Sequence, residues 1–261
     1  MVTAPTGASQ SSLRPREGEW WRLRQRVLDR WIRAGLPGDL HAFVLKTDLF
    51  DEASGPHHHL QQAGLQAPIL GIDWDRRIAG AARDRLVREG EQVRLAVCDV
   101  RALPFATGCL GAVLSLSTLD HFEGIDSIVD SLQELMRVLV PGGRLLLTLD
   151  NPWNPEVRLR TGLPSGLVSR LRADRFAWGK LLNTWQAERV FRRLGITVKR
   201  RGYLIHAPRY VGIRMLNWLE RRRWNAWTRR VVRLIEAFEL LSRSPLRAFT
   251  GHYIAWWLEK P

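Results

Sequence analysis

Four short apolar runs between Ile69 and Asn154, each ending at or near an aspartate, constrain the fold of this chain most strongly. The runs cover residues 68–73, 93–99, 111–117 and 144–150, with helix-forming segments at 76–88 and 127–139. Strands that alternate with helices at this spacing are typical of a doubly wound parallel sheet. Ligands of such sheets bind at the carboxyl ends of the strands. The residues predicted to lie at that edge are Asp73, Asp99, Asp120 and Asp150.

Three ordered motifs carry a resemblance to a known family. They are Gly71-Ile-Asp-Trp74, Cys98-Asp-Val-Arg-Ala-Leu-Pro-Phe105 and Arg137-Val-Leu-Val-Pro-Gly-Gly-Arg-Leu145. In order and spacing they resemble the motif series of the class I S-adenosylmethionine-dependent methyltransferases, over residues 42–154. The last motif, a helix followed by Pro-Gly-Gly and a strand, is the most specific. The resemblance implies a methyltransferase whose cofactor is S-adenosylmethionine.

The resemblance also implies a complete fold. We expect an α/β protein with a doubly wound, mostly parallel, seven-stranded Rossmann-like sheet and an antiparallel C-terminal edge strand. Residues 1–40 would form a disordered start and a basic N-terminal helix, residues 41–155 the cofactor-binding half, and residues 156–261 a basic part that completes the same domain. The local patterns predict helices at 19–35 and 179–194, strands six and seven at 196–205 and 252–258, and a helical insertion between those strands at 210–242.

Roles in cofactor binding follow from the resemblance for residues at the strand ends. Asp73 would accept hydrogen bonds from both ribose hydroxyls, and Trp74 would cover one face of the adenine. Asp99 would accept a hydrogen bond from the adenine amine, with the backbone of Val100 beside it. The alternative is that such acids only begin turns and cap helices, which we favour for Asp75.

The Gly-rich first motif of the family is missing. Of the matching residues 43–55 only Gly55 is a glycine, and Leu49 and Phe50 stand where glycine would allow close approach to a ligand. The absence of a G-x-G-x-x-G pattern also argues against a dinucleotide oxidoreductase.

Charges of both signs occur in this stretch instead: Lys46, Asp48 and Glu52. They suit the zwitterionic methionine end of the cofactor. Two accounts remain open. Either these residues, together with Gly55, hold the methionine carboxylate and amine, or cofactor binding has been lost.

The excess of basic residues is confined to the C-terminal part. The chain has a formal net charge of +14, and residues 156–261 carry 23 basic and 7 acidic residues, against 17 and 19 in residues 1–155. A surface of one sign attracts polyanions or anionic membranes. With neither a signal segment nor an apolar run of membrane-spanning length, we expect a cytoplasmic protein, with peripheral contact to the inner membrane face as an extension of that expectation.

Within the insertion, apolar residues recur three and four positions apart, which predicts one helical stripe. Its members are Trp224, Trp227, Val231, Leu234, Phe238 and Leu241. The arginines that fall largely off the stripe are Arg222, Arg229, Arg230 and Arg233. Such a helix either packs on its own domain with a solvated arginine face or lies at an anionic membrane surface.

Methyl transfer from a sulfonium requires alignment above all, and a hydroxyl acceptor also requires a base. His121 and His206 are the candidate catalytic residues, because histidine titrates near neutral pH; alternatively, His121 orients the cofactor or packs in the wall. Candidate acceptor-binding residues are Asn151, Asn154 and, as an anion clamp, Arg209. No metal site is predicted, since the consecutive histidines at 57–59 would point in different directions on a helix.

Three functions therefore compete. The leading hypothesis is a methyltransferase for a small-molecule, lipid or glycan acceptor at the cytoplasmic membrane face. The second is a non-catalytic Rossmann-like binding or scaffold protein, motivated by the missing first motif. The third is a nucleic-acid methyltransferase, motivated by the basic C-terminal part. Base-methylating enzymes carry an Asn/Asp-Pro-Pro-aromatic tetrapeptide, which this sequence lacks. Residues 151–154 are only loosely similar to it.

Overall fold

The computed structural model describes residues 18–36, 40, 42–55, 67–91, 94–162 and 179–261. The start that we predict to be disordered and the histidines at 57–59 lie outside these residues. Within the described ranges one seven-stranded sheet forms, in the order β3-β2-β1-β4-β5-β7-β6. Its strands are β1 (Val44–Lys46), β2 (Ile69–Asp73), β3 (Arg94–Val97), β4 (Leu110–Leu116), β5 (Leu139–Asp150), β6 (Thr197–Leu204) and β7 (Tyr253–Glu259).

The predicted doubly wound, mostly parallel sheet is confirmed. Strands β1 to β5 pair in parallel, and β7 pairs antiparallel with both β5 and β6. The antiparallel C-terminal strand is therefore next to the edge, and β6 is outermost. β5 begins five residues before the predicted position 144, because Leu139 already pairs with Leu110. Strands β7 and β6 thus extend the parallel part of the sheet beyond β5.

The described helices pack on both faces of the sheet. They are α1 (Glu19–Gly35), α2 (Phe50–Ser54), α3 (Arg76–Arg88), α4 (Ile125–Val138), α5 (Pro155–Gly162), α6 (Thr184–Arg193), α7 (Arg209–Arg221), α8 (Asn225–Ala237) and α9 (Arg247–Thr250), with 3₁₀ turns at Leu119–His121 and Phe238–Arg243. None of these helices has the length and apolar character needed to span a bilayer.

Capping explains where α6 begins and ends. The predicted helix at 179–194 starts only at Thr184, because the Asn183 side chain accepts a hydrogen bond from the N–H of Gln186. The Gln186 side chain accepts one in return from the N–H of Asn183, which completes a capping box. Gly195 follows the helix with a φ of 69°, a left-handed conformation that glycine adopts at little cost.

Helix α1 is buried along one face and lies against the C-terminal part of the sheet. Its apolar residues form a cluster with residues of β7, α7 and α8, including Trp20, Leu23, Leu28, Leu216 and Ile235. Gly212 of α7 permits this packing, since a Cβ there would lie 2.3 Å from the Trp20 ring. The predicted N-terminal helix is thus an integral part of the domain.

The single stripe predicted for the insertion is wrong. A turn at Arg222–Trp224 divides the insertion into α7 and α8, and the second helix gives way to a 3₁₀ turn at Phe238. In α8 the buried residues are Thr228 and Ile235, whereas Trp227 and Leu234 are 55% and 59% exposed. The packed face of α8 is therefore rotated by one position from the predicted stripe, and three of the predicted stripe residues, Trp224, Trp227 and Leu234, face solvent.

Candidate functional site

Asp73 lies where the sheet geometry predicts, at the carboxyl end of β2. Its carboxylate is buried and accepts two backbone hydrogen bonds, from the N–H of Leu49 at 3.0 Å and from the N–H of Asp75 at 2.8 Å. Each carboxylate oxygen has a second lone pair for a ligand hydroxyl. Trp74 follows with 40% of its surface exposed, so its ring is accessible at the same edge. Asp75, as we favoured, caps α3.

The environment of Asp73 favours the protonated form of its carboxyl group up to near-neutral pH. Burial raises the pKa of Asp73, and repulsion from Asp48 raises it further, to about 7. The N–H groups of Asp75 and Leu49 and the positive charge of Lys46 oppose this change. Asp73 therefore gains or loses its charge within the physiological range, depending on what binds beside it.

The loop after β1 brings the predicted charged residues together, but two of them bond to each other. Lys46 and Glu52 are fully buried, and Nζ lies 2.6 Å from Oε2. Lys46 also donates to the backbone oxygen of Asp48. Burial works to lower the pKa of Lys46, but the charges of Glu52, Asp48 and Asp51 outweigh it and raise that pKa. The second oxygen of Glu52, Oε1, has no hydrogen-bond partner among the described residues.

The side chain of Leu49 does not block the ligand edge, although its size suggests that it would. Leu49 is fully buried and packs with Ala79 and Ala82 of α3. Gly71 provides the space, since a Cβ there would lie 2.7 Å from Leu49 Cδ2. Leu49 is therefore a core residue, and only its backbone faces Asp73. Gly55 closes α2 and would place a Cβ 2.5 Å from the Asp51 oxygen, so its role is in local packing.

Asp48 is the partly exposed member of the loop. Its Oδ1 accepts a hydrogen bond from the N–H of Phe50. Burial and the neighbouring charge of Asp51 raise the pKa of Asp48, while Lys46 and His121 oppose that rise. His121, in the 3₁₀ turn after β4, is therefore close enough to interact with the cofactor loop. The structure brings His121 and Asp48 to one edge of the sheet.

An arginine of α1 reaches this loop, which the sequence patterns did not reveal. Arg24 pairs with Asp51 of α2 at 2.9 Å and donates to the hydroxyl of Tyr253 at 3.3 Å. Burial opposes its charge, but Asp51 and Tyr253 more than compensate, and the pKa of Arg24 is raised. Arg24 lies four residues after Trp20 on the apolar face of α1, and a charge on a buried helix face is itself a signal of a partner.

Asp99 does not have the free carboxylate that we expected for the adenine amine. Arg101 donates to it from its backbone N–H at 2.9 Å and from its guanidinium at 2.6 Å and 3.0 Å. Burial works to raise the pKa of Asp99, but these bonds outweigh it and hold the pKa below its usual value. Val100 is buried in the main core. Asp99 is positioned at the predicted edge, with Arg101 as its principal partner.

The two asparagines after β5 do not offer their amides to an acceptor. Asn151 is fully buried and donates to the backbone oxygens of Ala248 and Gly251 at 2.7 Å and 2.8 Å. Asn154 donates to Thr250 at 2.9 Å and accepts from the N–H of Glu156. Both amides therefore join α9 to the end of β5, and a role of the two asparagines in acceptor binding stays a prediction.

His206 is also engaged inside the protein, which argues against the predicted role as a base. Its Nε2 lies 3.0 Å from the carbonyl of Tyr203 and must donate there, so Nδ1 accepts from the Thr250 hydroxyl at 2.7 Å. Burial lowers the pKa of His206, although Glu239 works in the opposite direction. Both ring nitrogens of His206 are thus occupied by partners within the protein.

A second buried histidine, which the sequence did not single out, lies beside Arg209. Nη1 of Arg209 is 3.2 Å from Nε2 of His252, and that nitrogen is 3.8 Å from Oδ1 of Asp150. The Arg209 guanidinium also stacks over the Trp21 ring. The antiparallel pairing of β5 with β7 brings these residues together, because β7 begins where β5 ends. The predicted anion clamp thus has a histidine and a carboxylate as neighbours.

The raised pKa of Asp73 predicts a pH-dependent gain in stability for Asp73→Asn. The folded state retains a proton up to a pH of about 7, whereas the unfolded chain releases it near pH 3.9. The free energy of unfolding of the unaltered protein should therefore fall as pH rises between these values. The variant lacks this titration, so it should gain stability relative to the unaltered protein across that window, and the difference should be constant above it.

Chemical denaturation at a series of pH values measures this difference. Asp84→Asn, at an exposed position of α3, is the matched control and should give a difference that does not vary with pH. An Asp73→Asn difference that is equally flat would contradict the assignment of the raised pKa.

Comparison with known proteins finds relatives among the methyltransferases. A family model described as a methyltransferase domain matches residues 53–147. A ubiquinone/menaquinone biosynthesis C-methyltransferase of Nitrosospira multiformis is 33% identical over 104 residues, which cover 38% of this chain and 40% of that protein. A tRNA (carboxymethyluridine(34)-5-O)-methyltransferase of Mus musculus is 37% identical over 79 residues, which cover 30% of this chain and 11% of that protein. The matches thus span less than half the length of these relatives.

A solved structure with the same fold extends the match over the whole domain. The geranyl diphosphate C-methyltransferase of Streptomyces coelicolor, in complex with Mg²⁺, geranyl diphosphate and S-adenosyl-L-homocysteine, superposes with a TM-score of 0.58. The two are 18% identical, and the match covers 90% of this chain and 77% of that one. The family model and the fold agree, and both indicate S-adenosylmethionine as the cofactor. Residues 53–147 thus match a methyltransferase domain, and the fold is that of the class I S-adenosylmethionine-dependent methyltransferases.

Proposed function

We propose that this protein binds S-adenosylmethionine at the edge of β1, β2 and β3 and transfers its methyl group to a small-molecule, lipid or glycan acceptor. The geometry of Asp73 carries the proposal. Its buried carboxylate is fixed by two backbone N–H groups and keeps lone pairs for both ribose hydroxyls. Trp74 offers an exposed ring for the adenine. These residues fit the adenosine end of the cofactor, which would supply an electrophilic methyl group on its sulfonium.

The methionine end meets charged side chains in place of glycines. Lys46 and Glu52 hold each other in a closed pair, and Glu52 has an oxygen without a partner among the described residues. The α-carboxylate of the ligand would take Lys46 as its partner, and the α-amine would take Glu52. Asp48 adds a negative charge that favours the cationic sulfonium. The loop thus fits a ligand with one positive and one negative group. On binding, the Lys46–Glu52 pair would be replaced by two ion pairs with the ligand.

His121 is the base that we propose for an acceptor with an ionisable proton. It lies at the carboxyl edge just after β4, and its charge influences Asp48. His206 has both ring nitrogens occupied and is therefore a positioning residue in this account. Arg209, with His252 and Asp150, lies at the end of β5 and remains the proposed contact for an anionic part of the acceptor.

A surface of α7 and α8 supports the proposal that the protein acts at an anionic membrane. We call it the arginine–tryptophan surface; its members are Trp218, Arg222, Trp224, Trp227 and Arg230. The Arg222 guanidinium stacks on the Trp218 and Trp224 rings, and Arg230 stacks on Trp227. The three rings are exposed, as is Leu234 nearby. Tryptophan beside arginine suits the boundary between lipid headgroups and acyl chains.

Nucleic acid is the second candidate acceptor. One relative is a tRNA methyltransferase by name, and the C-terminal part is strongly basic. Exposed aromatic rings also stack on bases. We favour the lipid surface because exposed aliphatic side chains, Leu234 and Leu240, accompany the rings. Binding to RNA that falls steeply with added salt would favour the second candidate instead.

Cofactor affinity should depend on Asp73. Replacing Asp73 by alanine removes a charged acceptor of two hydrogen bonds, which should cost about 2–4 kcal/mol of binding free energy. Calorimetric titration with S-adenosylmethionine measures the change, and Asp84→Ala serves as the control that should leave affinity unaltered. Equal affinities for Asp73→Ala and the unaltered protein would mean that the ribose site is elsewhere.

The closed ion pair should contribute to binding of the amino-acid end only. We expect Glu52→Gln to weaken S-adenosylmethionine about tenfold or more, while adenosine binding changes little, because adenosine lacks the amine that Glu52 would hold. The double change Lys46→Met/Glu52→Gln leaves no unpaired buried charge, so it should be more stable than Glu52→Gln. It should also weaken S-adenosylmethionine more than adenosine. Equal losses for both ligands in both variants would contradict the assignment.

The arginine–tryptophan surface should bind anionic vesicles. Juxtamembrane basic residues contribute on the order of 1 kcal/mol each, so glutamine at four arginines should reduce binding strongly. The four are Arg222, Arg229, Arg230 and Arg233. Co-sedimentation with vesicles of phosphatidylcholine, with and without phosphatidylglycerol, measures the effect.

A control variant with the same charge change tests whether the location matters. It carries glutamine at four exposed arginines of α3 and α6: Arg83, Arg88, Arg192 and Arg193. Binding should persist in this control. Binding that ignores lipid charge, or that falls equally in both quadruple variants, would rule out a specific membrane-binding surface.

A further inference from the structure

A cavity of about 480 Å³ lies between α1, β6 and the segment from the second 3₁₀ turn to α9. Five arginines from these three parts of the chain line it: Arg30, Arg200, Arg201, Arg243 and Arg247. They are far apart in sequence, so the fold alone brings them to one concavity. The one carboxylate in the lining is Glu239.

The positive charge of this cavity is poorly neutralised by the protein. Arg201 pairs with Glu188 at 3.0 Å. Oε1 of Glu239 already accepts the N–H of His206 at 2.9 Å. Across the ranges that the structure describes, the other four arginines of the cavity form no ion pair with a carboxylate. Like charges around a concave surface repel one another, so an anion bound there would relieve that repulsion.

One arginine of the cavity lining, Arg200, is oriented by stacking on two tryptophan rings. The Arg200 guanidinium lies 4.6 Å from the centre of the Trp257 ring and 5.3 Å from that of Trp31. Trp31 comes this close to β6 because residue 202 is glycine; a Cβ there would lie 2.7 Å from the Trp31 ring. Stacking fixes the plane of a guanidinium and leaves its N–H groups for a ligand. The site is therefore partly organised before a ligand binds.

The position of the cavity connects it with the acceptor side of the sheet. β6 runs toward the ligand edge, where Leu204 pairs with Tyr253, and Tyr253 pairs with Asp150 at the end of β5. Residues 200–204 line the cavity along this approach. A group held by the arginines would thus lie on the side of the domain where β5 and β7 meet.

We propose that this cavity binds a phosphate or diphosphate group, carried by a small molecule or by a lipid headgroup. Guanidinium groups from several directions match the oxygens of such a group and bind them in pairs. The site is distinct from the cofactor edge and from the arginine–tryptophan surface. It goes beyond the proposed methyl transfer and does not require that activity.

The test is calorimetric titration of the protein with inorganic pyrophosphate. The unaltered protein should bind it, and the double change Arg243→Gln/Arg247→Gln should weaken binding about tenfold or more. The control Arg192→Gln/Arg193→Gln makes the same charge change on α6 and should leave affinity within about twofold. Thermal melting of each variant verifies that both remain folded.

Co-sedimentation with phosphatidic acid vesicles then distinguishes the two sources of phosphate. Loss of pyrophosphate binding alone in Arg243→Gln/Arg247→Gln supports a soluble phosphorylated ligand, and loss of both supports a headgroup. No binding of pyrophosphate by the unaltered protein, or equal losses in the two double variants, would overturn the proposal. Either result would leave the cofactor assignment unaffected, because S-adenosylmethionine binding is measured separately.

Discussion

The buried ion pair between Lys46 and Glu52 is the constraint on which the cofactor edge depends. Both side chains are inaccessible to solvent. Removing one partner would leave an uncompensated buried charge, which typically costs about 3–5 kcal/mol. The pair therefore fixes the course of the loop between β1 and α2. That course directs the N–H of Leu49 to Asp73 and its side chain into the core beneath α3.

The same loop links the cofactor edge to the C-terminal half through α1. Asp51 follows Leu49 closely and pairs with Arg24, which also bonds to Tyr253 at the start of β7. At its N-terminus, α1 is joined to α7, where the N–H of Glu19 donates to Glu220 at 2.8 Å. Helix α1 thus contacts the loop at the cofactor edge, the strand that begins beside Asp150 and the insertion that carries the basic surface.

The fold was predictable because it depends on patterns that local sequence carries. Apolar runs ending in acids specify β2, β3 and β5, and the face of α1 follows from spacings of three and four. The turn between α7 and α8 was not predicted, because no glycine or proline marks it in the sequence. Arg223, with a φ of 54°, turns the chain there, and arginine gives no such signal in sequence.

The site was predictable only in part, because residue type indicates chemistry but not the partner that a side chain finds. Asp73 is at the expected strand end with lone pairs available. Asp99 is at its expected strand end too, but Arg101, two residues later, occupies its carboxylate. Asn151 bonds across about a hundred residues of sequence to the chain near α9. Such long-range hydrogen bonds depend on the assembled fold, and so does the His252–Arg209 contact.

Charged residues in the first motif are proposed to bind the amino-acid end of the cofactor. A crystal structure of the protein with sinefungin, a stable amine analogue of S-adenosylmethionine, tests it most directly. We expect the ribose on Asp73, the ligand carboxylate at Lys46 and the α-amine at Glu52, with the Lys46–Glu52 pair opened. A ligand whose amino-acid end lies away from an intact Lys46–Glu52 pair would contradict it, as would a cleft that stays empty at saturating ligand.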